Sequence, residues 1–454
     1  MKIGLINAIP LHRLPVTHAY FQTLSLPLGL LYVGTYLMEH MPGAQVLIKD
    51  NADDLMEAGI DVLGIYSVTQ NFGYAREIAR EAKGKGIVTV IGGPHVTALP
   101  HRLEPEFDFG VVGEGEETFY ELVNLLGRGY TIKDDRWKKV PGIVYNDRHS
   151  GAFFTGRRHE KKNLDDYPIP RRELWAKQLG TAHIITSRGC PFSCSFCSEP
   201  VLWDAYRMHS PAYVVREIQD ILSHFPIRHI LIFDDIFTIS QQRLSEMADL
   251  FERAGIPDRL SFSCWGRTHL INEAMVEHLL RMNFNFIAFG IESASQRILS
   301  QLKKGATVES HQKAIDLCHR AGLKLACTFI IASPGETLDD LKMTYDFIRK
   351  NQDKMSGIEI NPAVPLPGTP LWQQAMSRGL VSEDMNWEKL SDWSVFEEFT
   401  LDRYVVMNEN FFKPDYQDMF KRMYDLYREI IDKGEIAEHT LNYVNPTMEP
   451  AKLL

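Results

Sequence analysis

The segment Cys190-Pro191-Phe192-Ser193-Cys194-Ser195-Phe196-Cys197 constrains this chain more than any other, because it sets three thiols on one short loop. The spacing is C-x3-C-x2-C, with an aromatic residue directly before the third cysteine. Three such thiolates can hold three corners of a cubane iron–sulfur cluster, whose iron favours soft sulfur ligands. A cubane ordinarily takes four cysteines, and this loop has no fourth. One iron is then left open, which points to chemistry at the metal rather than to a structural staple. A zinc loop and ordinary buried thiols are the alternatives. Zinc sites usually present paired C-x2-C halves and four ligands, whereas Cys264, Cys318 and Cys327 are widely scattered. Those three read as small buried hydrophobes, with Cys264 near the end of a strand.

The loop follows the first of six strand-like runs separated by helical stretches: His183–Thr186, His229–Phe233, Leu260–Cys264, Phe286–Gly290, Lys324–Ile331 and Ile358–Ala363. Right-handed crossovers would curl these units into a partial (β/α)6 barrel over residues 177–370. The cysteine loop then lies at the C-terminal mouth, where βα loops carry catalytic groups. Residues 1–130 show the same alternation, with strands expected at Lys2–Asn7, Val46–Lys49, Val62–Ser67, Val88–Gly92 and Phe109–Val112. Tyr74, Ala75, Ile78, Ala79 and Ala82 keep the spacing of a packed crossover helix. The fold class is therefore α/β: a Rossmann-like doubly wound parallel sheet, then the barrel, then a mainly helical C-terminal segment at 371–454. Turn residues just after the strand ends (Ser67 to Thr69, Gly92 to His95, Gly113 to Glu116) would border the ligand crevice of such a sheet. Residues 131–176, charged and proline-punctuated, read as a linker. In the last segment, Tyr416, Met419, Phe420, Met423, Tyr424, Tyr427, Ile430 and Ile431 form the apolar stripe of a helix packed on the barrel. The aromatic residues before it (Trp372, Trp387, Trp393, Phe396, Phe399, Tyr404) either join that packing or close over the barrel mouth.

Composition excludes some roles. At 454 residues the chain is long enough for two or three domains, and its 44% hydrophobic and 24% charged content is that of a globular protein. No apolar run reaches the length of a membrane span, and the start Met1-Lys2-Ile3-Gly4-Leu5-Ile6 reads as a strand rather than a signal peptide. Six cysteines, three committed to iron, argue for a reducing cytoplasm. A formal charge of −10 argues against wrapping nucleic acid.

The cysteine loop resembles that of the radical S-adenosylmethionine (SAM) enzymes. In that family SAM chelates the open iron, and an electron from the 4Fe-4S cluster cleaves it to methionine and a 5′-deoxyadenosyl radical. Pro27-Leu28-Gly29-Leu30-Leu31-Tyr32, Ile91-Gly92-Gly93-Pro94-His95 and Val112-Gly113-Glu114-Gly115-Glu116 resemble the N-terminal domain of the cobalamin-dependent subfamily. The histidine-on motif Asp-x-His-x-x-Gly is absent, and its nearest string, Asp147-Arg148-His149-Ser150-Gly151, has the wrong spacing. The resemblance thus implies cobalamin with no protein histidine beneath the cobalt. Ser67, Thr69, Gly92, Gly93, His95, Gly113 and Glu114 would border it, although His95 reads equally well as a solvated loop residue and the glycines as plain turns.

For SAM, resemblance points to Asp234 or Asp235 at the ammonium, Asp235 being preferred, and to Arg267 at the carboxylate. Glu292 and Ser293 in Phe289-Gly290-Ile291-Glu292-Ser293, and Ser333 in Ile331-Ala332-Ser333-Pro334-Gly335-Glu336, match segments near SAM and its adenine. At Ala332-Ser333 the usual glycine is replaced. For each of these, a salt-bridged or hydrogen-bonded rim is the structural alternative. The implied activity is a C-methyltransferase: the radical abstracts hydrogen from an unactivated carbon, methylcobalamin supplies methyl, and a second SAM remethylates cobalt. An external electron donor such as flavodoxin or ferredoxin, and a small-molecule or peptide substrate, would be its partners. A radical deoxygenase, dehydratase or cyclase that does not use cobalamin is the alternative, and a non-catalytic iron–sulfur or corrinoid carrier a third reading.

Overall fold

The computed structural model describes residues 1–10, 26–131, 134–147, 151–175, 179–390 and 404–432. Trp393, Phe396, Phe399, the side chain of Ile431 and the string Arg148 to Ser150 lie outside them. The first sheet is built from β1 (Lys2–Asn7), β2 (Gln45–Lys49), β3 (Val62–Tyr66), β4 (Val88–Gly92), β5 (Phe109–Val111), β6 (Ile143–Asp147) and β7 (Gly151–Phe154). Its order is β2-β1-β3-β4-β5-β6-β7, parallel through β5. Strands such as Ile3–Ile6 and Val62–Ile65 are buried along their length, as happens when helices cover both faces of a sheet. Helix Phe72–Gly84 buries Phe72, Ala75, Ile78, Ala79 and Ala82, four of which the helical spacing had marked.

The expected linker is in part sheet. β6 pairs antiparallel with β5, and β7 with β6, so 143–154 extends the first sheet. Trp137, Leu164, Tyr167 and Arg172 in the same stretch are buried. The short apolar run Ile143-Val144-Tyr145 is masked in sequence by the charged residues around it. In space it covers the edge that β5 would otherwise expose.

The second sheet comprises β8 (Ala182–Ile184), β11 (His229–Ile232), β12 (Ser261–Gly266), β13 (Phe284–Glu292), β14 (Lys324–Ile331) and β15 (Gly357–Pro362); β9 (Ser187–Arg188) and β10 (Arg207–Met208) form a separate antiparallel pair. The six strands are parallel and lie in chain order, the open barrel that the alternation predicts. Along β14, Leu325, Cys327, Phe329 and Ile331 are buried against helices, while Lys324, Ala326, Thr328 and Ile330 are only half-buried. A two-residue period of this kind leaves the inner face partly open.

Helix Pro414–Asp432 seats Tyr416, Met419, Met423, Leu426 and Ile430 in the barrel core, against helix Leu338–Asn351 and β15. Trp372 and Trp387 pack instead into the core of the first sheet, stacked on each other at 5.9 Å. Those two aromatics therefore tie the two sheets together and do not cover the mouth. Among the described residues no helix is long and apolar enough to cross a membrane.

Candidate active site

The carboxyl ends of β1, β3, β4 and β5 face the mouth of the barrel across a cavity of about 540 Å³. Tyr66, Gly92, Gly93, Gly113 and Glu114 line it from the first sheet, and Arg188, Glu199, Trp203, Phe233 and Asp235 from the barrel. Gly93 has φ +102°, and a Cβ there would come within 2.7 Å of the Ser67 carbonyl oxygen, so only glycine fits. Gly113 has φ +78°, and a Cβ on it would project into open space. Gly92, Gly93 and Gly113 thus expose backbone along part of the crevice, beside the side chains of Asn7, Tyr66 and Glu114, and a flat macrocycle could approach closely there.

Three of the expected cobalamin contacts do not line this cavity. Ser67 is buried, and its hydroxyl donates to the Val68 carbonyl. Thr69 Oγ1 lies 3.3 Å from His95 Nδ1. His95 is no solvated loop residue: it stacks on Phe72 at 3.8 Å and meets Trp387 edge-on at 4.8 Å. Pro94 starts a short helix, Pro94–Ala98, whose 94 and 97 positions face the cavity and whose 95 position faces the core. Burial pushes the His95 imidazole down to about 3, so it stays neutral.

All six cysteines are free thiols. The Cys190–Cys197 loop is pinned by Ser195, whose N–H donates to the Leu302 carbonyl (2.9 Å) and whose carbonyl accepts from Leu371 N–H (3.0 Å). Burial raises the Cys190 thiol, and pushes that of Cys197 up to about 12 against the opposing pull of the Glu199 N–H. The Arg267 guanidinium pulls the Cys190 thiol down and the Asp235 carboxyl pushes it up, both weaker than burial. Three thiols on one pinned loop, Cys194 buried and the other two half-buried, are by their chemistry a donor set that suits a cubane cluster.

Arg267 follows β12 and is buried. It donates to Cys194 Sγ at 3.5 Å, lies 3.9 Å over the Phe192 ring, and leaves Nε and Nη2 without a partner among the described residues. Buried guanidinium donors left open beside the cysteine loop are what a carboxylate needs. Arg267→Ala is expected to weaken SAM binding about 10- to 100-fold, the loss of hydrogen bonds between charged groups. Iron content should not change. Equal SAM affinity in equilibrium dialysis would remove Arg267 from the site.

The adjacent acids divide. Asp235 borders the cavity, whereas Asp234 turns inward and accepts from the N–H and hydroxyl groups of both Thr186 and Ser187. Glu199, overlooked in the sequence although it lies two residues past Cys197, faces Asp235 across the cavity wall. Burial, and then the neighbouring Asp235 carboxyl, push the Glu199 carboxyl up to about 9. Glu292 sits at a register shift between β13 and β14 with φ +66°, its carboxylate 2.6 Å from Lys304 Nζ. Such strain in a non-glycine residue concentrates at functional sites. Ser293 faces away from the mouth, its hydroxyl meeting Thr344 and accepting from Ser295 N–H.

At Ala332-Ser333, where the resemblance leads one to expect a glycine, Ala332 has a left-handed backbone (φ +54°). The adjoining Ser333 hydroxyl is buried and unpartnered among the described residues, as is Oε1 of Glu336. Tyr416 donates to Glu336 Oε2 at 2.6 Å. Burial pushes the Glu336 carboxyl up to about 7, with Tyr416 opposing the rise. The folded protein therefore binds this proton more tightly than the unfolded chain, whose glutamate titrates near 4.3. The associated stability is fully present below about pH 4.3 and is lost as pH rises to about 7, an expected loss of about 3 kcal/mol. Glu336→Gln should remove that slope from urea midpoints measured across pH 4–8, and parallel pH profiles would contradict the assignment.

Residues 184–348 match the Radical SAM superfamily and residues 16–123 the B12 binding domain. An uncharacterized methyltransferase of Pyrococcus horikoshii is 32% identical over 385 residues, covering 80% of this chain and 81% of its own. The bacteriochlorophyllide d C-8(2)-methyltransferase of Chlorobaculum tepidum is 27% identical, covering 72% and 71%. In fold, the radical SAM methyltransferase TsrM from Kitasatospora setae, solved with cobalamin and a [4Fe-4S] cluster, superimposes with a TM-score of 0.71 at 17% identity, covering 94% of this chain and 90% of its own. With the glycine-lined crevice and the mouth of the barrel facing one cavity, these matches establish the chain as a member of the cobalamin-dependent radical SAM enzymes of the methyltransferase type.

Proposed function

We propose that this enzyme methylates an unactivated carbon of an acceptor held between the glycine-lined crevice and the barrel mouth. The single observation that carries the reading is the shared cavity, to which both sheets contribute backbone floor, acids and aromatics. SAM and the cluster, held beside the cysteine loop, would supply a hydrogen-abstracting radical, and cobalamin, held in the cavity, would supply the methyl group.

The residues bind, orient and exclude water. Cys190, Cys194 and Cys197 would hold three irons. Arg267 would take the SAM carboxylate through its open Nε and Nη2. Asp235 would take the ammonium, with Glu199 adding a second carboxyl, and the Ser333 hydroxyl would serve the adenine side. Gly92, Gly93 and Gly113 would let the corrin lie against backbone. Trp203 and Phe233 would wall the acceptor from water, which a carbon radical requires. An external reductant such as flavodoxin or ferredoxin completes the scheme, and the six free thiols support a reducing cytoplasmic setting.

The test uses anaerobically reconstituted protein, hydroxocobalamin, a chemical reductant and methyl-labelled SAM. Near-stoichiometric corrinoid that acquires the label, together with 5′-deoxyadenosine, is the expected result. 5′-Deoxyadenosine without corrinoid uptake would reject methyl transfer in favour of a radical elimination or cyclisation.

A further inference from the structure

A buried network of charges joins the two halves of the site, and the chemistry assigned above uses neither of its arginines. Arg188, in β9, lies two residues before Cys190. Its two terminal nitrogens reach different carboxylates of the first sheet's last crevice turn: Nη1 pairs with Glu114, and Nη2 with Glu116 at 2.7 Å. The guanidinium is held between two rings, 4.8 Å from Tyr32 and 4.7 Å from Tyr167. Arg207, register partner of Arg188 in the β9–β10 pair, meets Glu114 and Glu160, each at 3.1 Å, and Tyr167 donates to Glu114 at 3.2 Å. The side chains of Arg188, Arg207, Glu114 and Glu116 are each less than a tenth exposed.

The placement matters more than the burial. Glu114 and Glu116 flank the turn that lines the crevice after β5, and both line the cavity together with Arg188. Arg188 also leads directly into the cysteine loop through Gly189, whose Cβ would strike the Ala205 carbonyl oxygen at 2.9 Å. The corrin bed and the cluster loop are thus bolted to each other through one planar fork. A lysine offers a point charge and cannot span two carboxylates in this way. Charges this buried lock a geometry, because any displacement leaves one of them unpaired.

We propose that Arg188 is a positioning residue that sets the separation between the corrin seated at the Gly113–Glu116 turn and the cluster held by the Cys190 loop. The proposal rests on the cobalamin assignment, and its test separates the two. Wild-type, Arg188→Gln and Arg188→Lys proteins are reconstituted with iron and sulfide, loaded with hydroxocobalamin and reduced. Pulsed electron paramagnetic resonance then reads the dipolar coupling between the paramagnetic cobalt and the reduced cluster. The expected result is one narrow separation in wild type and a broadened or shifted one in both variants, with iron and corrinoid retained.

A distribution as narrow in Arg188→Gln as in wild type overturns the clamp alone, and a lysine that fully restores it overturns the two-pronged fork. Wild-type protein that takes up no corrinoid overturns the cobalamin assignment and the clamp with it. If Arg188→Gln does not accumulate, Glu116→Gln removes one prong while leaving the Glu114 pair. Its distribution must then broaden for the proposal to stand.

Discussion

Cys194→Ala is expected to lose both the iron–sulfur cluster and all SAM cleavage. Cys194 is the middle thiol of the loop and the one that is buried, with Arg267 donating to its sulfur at 3.5 Å. Two remaining thiols hold only two corners of a cubane, and no other cysteine belongs to this loop: Cys264, Cys318 and Cys327 are packed in the barrel core. Iron should fall from about four atoms per chain to background after anaerobic reconstitution. 5′-Deoxyadenosine should fall below detection. The fold should persist, because the loop is pinned through Ser195 backbone contacts that the substitution does not touch. Retained SAM cleavage in a folded variant would reject the cluster assignment outright.

Asp234→Ala should have the largest effect on stability, for a different reason. Its carboxylate accepts four hydrogen bonds from Thr186 and Ser187, the residues that carry the chain from β8 into β9 and the cysteine loop. Removing it leaves four buried donors unpaired and deprives Arg243, which donates to the Thr186 carbonyl, of a nearby countercharge. The expected cost is about 3–5 kcal/mol, typical of a broken buried charge network. A lowered thermal midpoint with secondary loss of iron would confirm it. Lower SAM affinity at unchanged stability would instead return Asp234 to the ligand set.

Chemistry concentrated in a few adjacent residues was legible in the sequence. The C-x3-C-x2-C spacing, the order of six barrel strands and the glycine turns of the crevice all stand in the structure where local pattern puts them. What local pattern does not carry is which way a side chain turns. Asp234 and Asp235 are neighbours just past the end of β11, and the chain there turns one into the core and the other to the cavity. His95 turns away because Pro94 begins a helix there, which a Gly-Gly-Pro-His string leaves undecided. Glu199, Arg188 and Lys304 acquire meaning only through Asp235, Glu114 with Glu116, and Glu292, and only the last pair is close in sequence. The β6–β7 pair was missed because a short apolar run among charges gives no periodic signal of its own.

The grip of the C-terminal helix on Glu336 has a thermodynamic consequence. Tyr416 holds the carboxyl, and the side chains of Asn408 and Asn410 both donate to the Glu336 carbonyl at 2.9 Å. Docking of 408–432 and the conformation of the Ala332–Glu336 turn are therefore one coupled equilibrium. Whatever tightens the turn must, by reciprocity, tighten the helix by the same free energy. Amide exchange along Pro414–Asp432 thus becomes a remote gauge of occupancy at the barrel mouth, read without any knowledge of the acceptor.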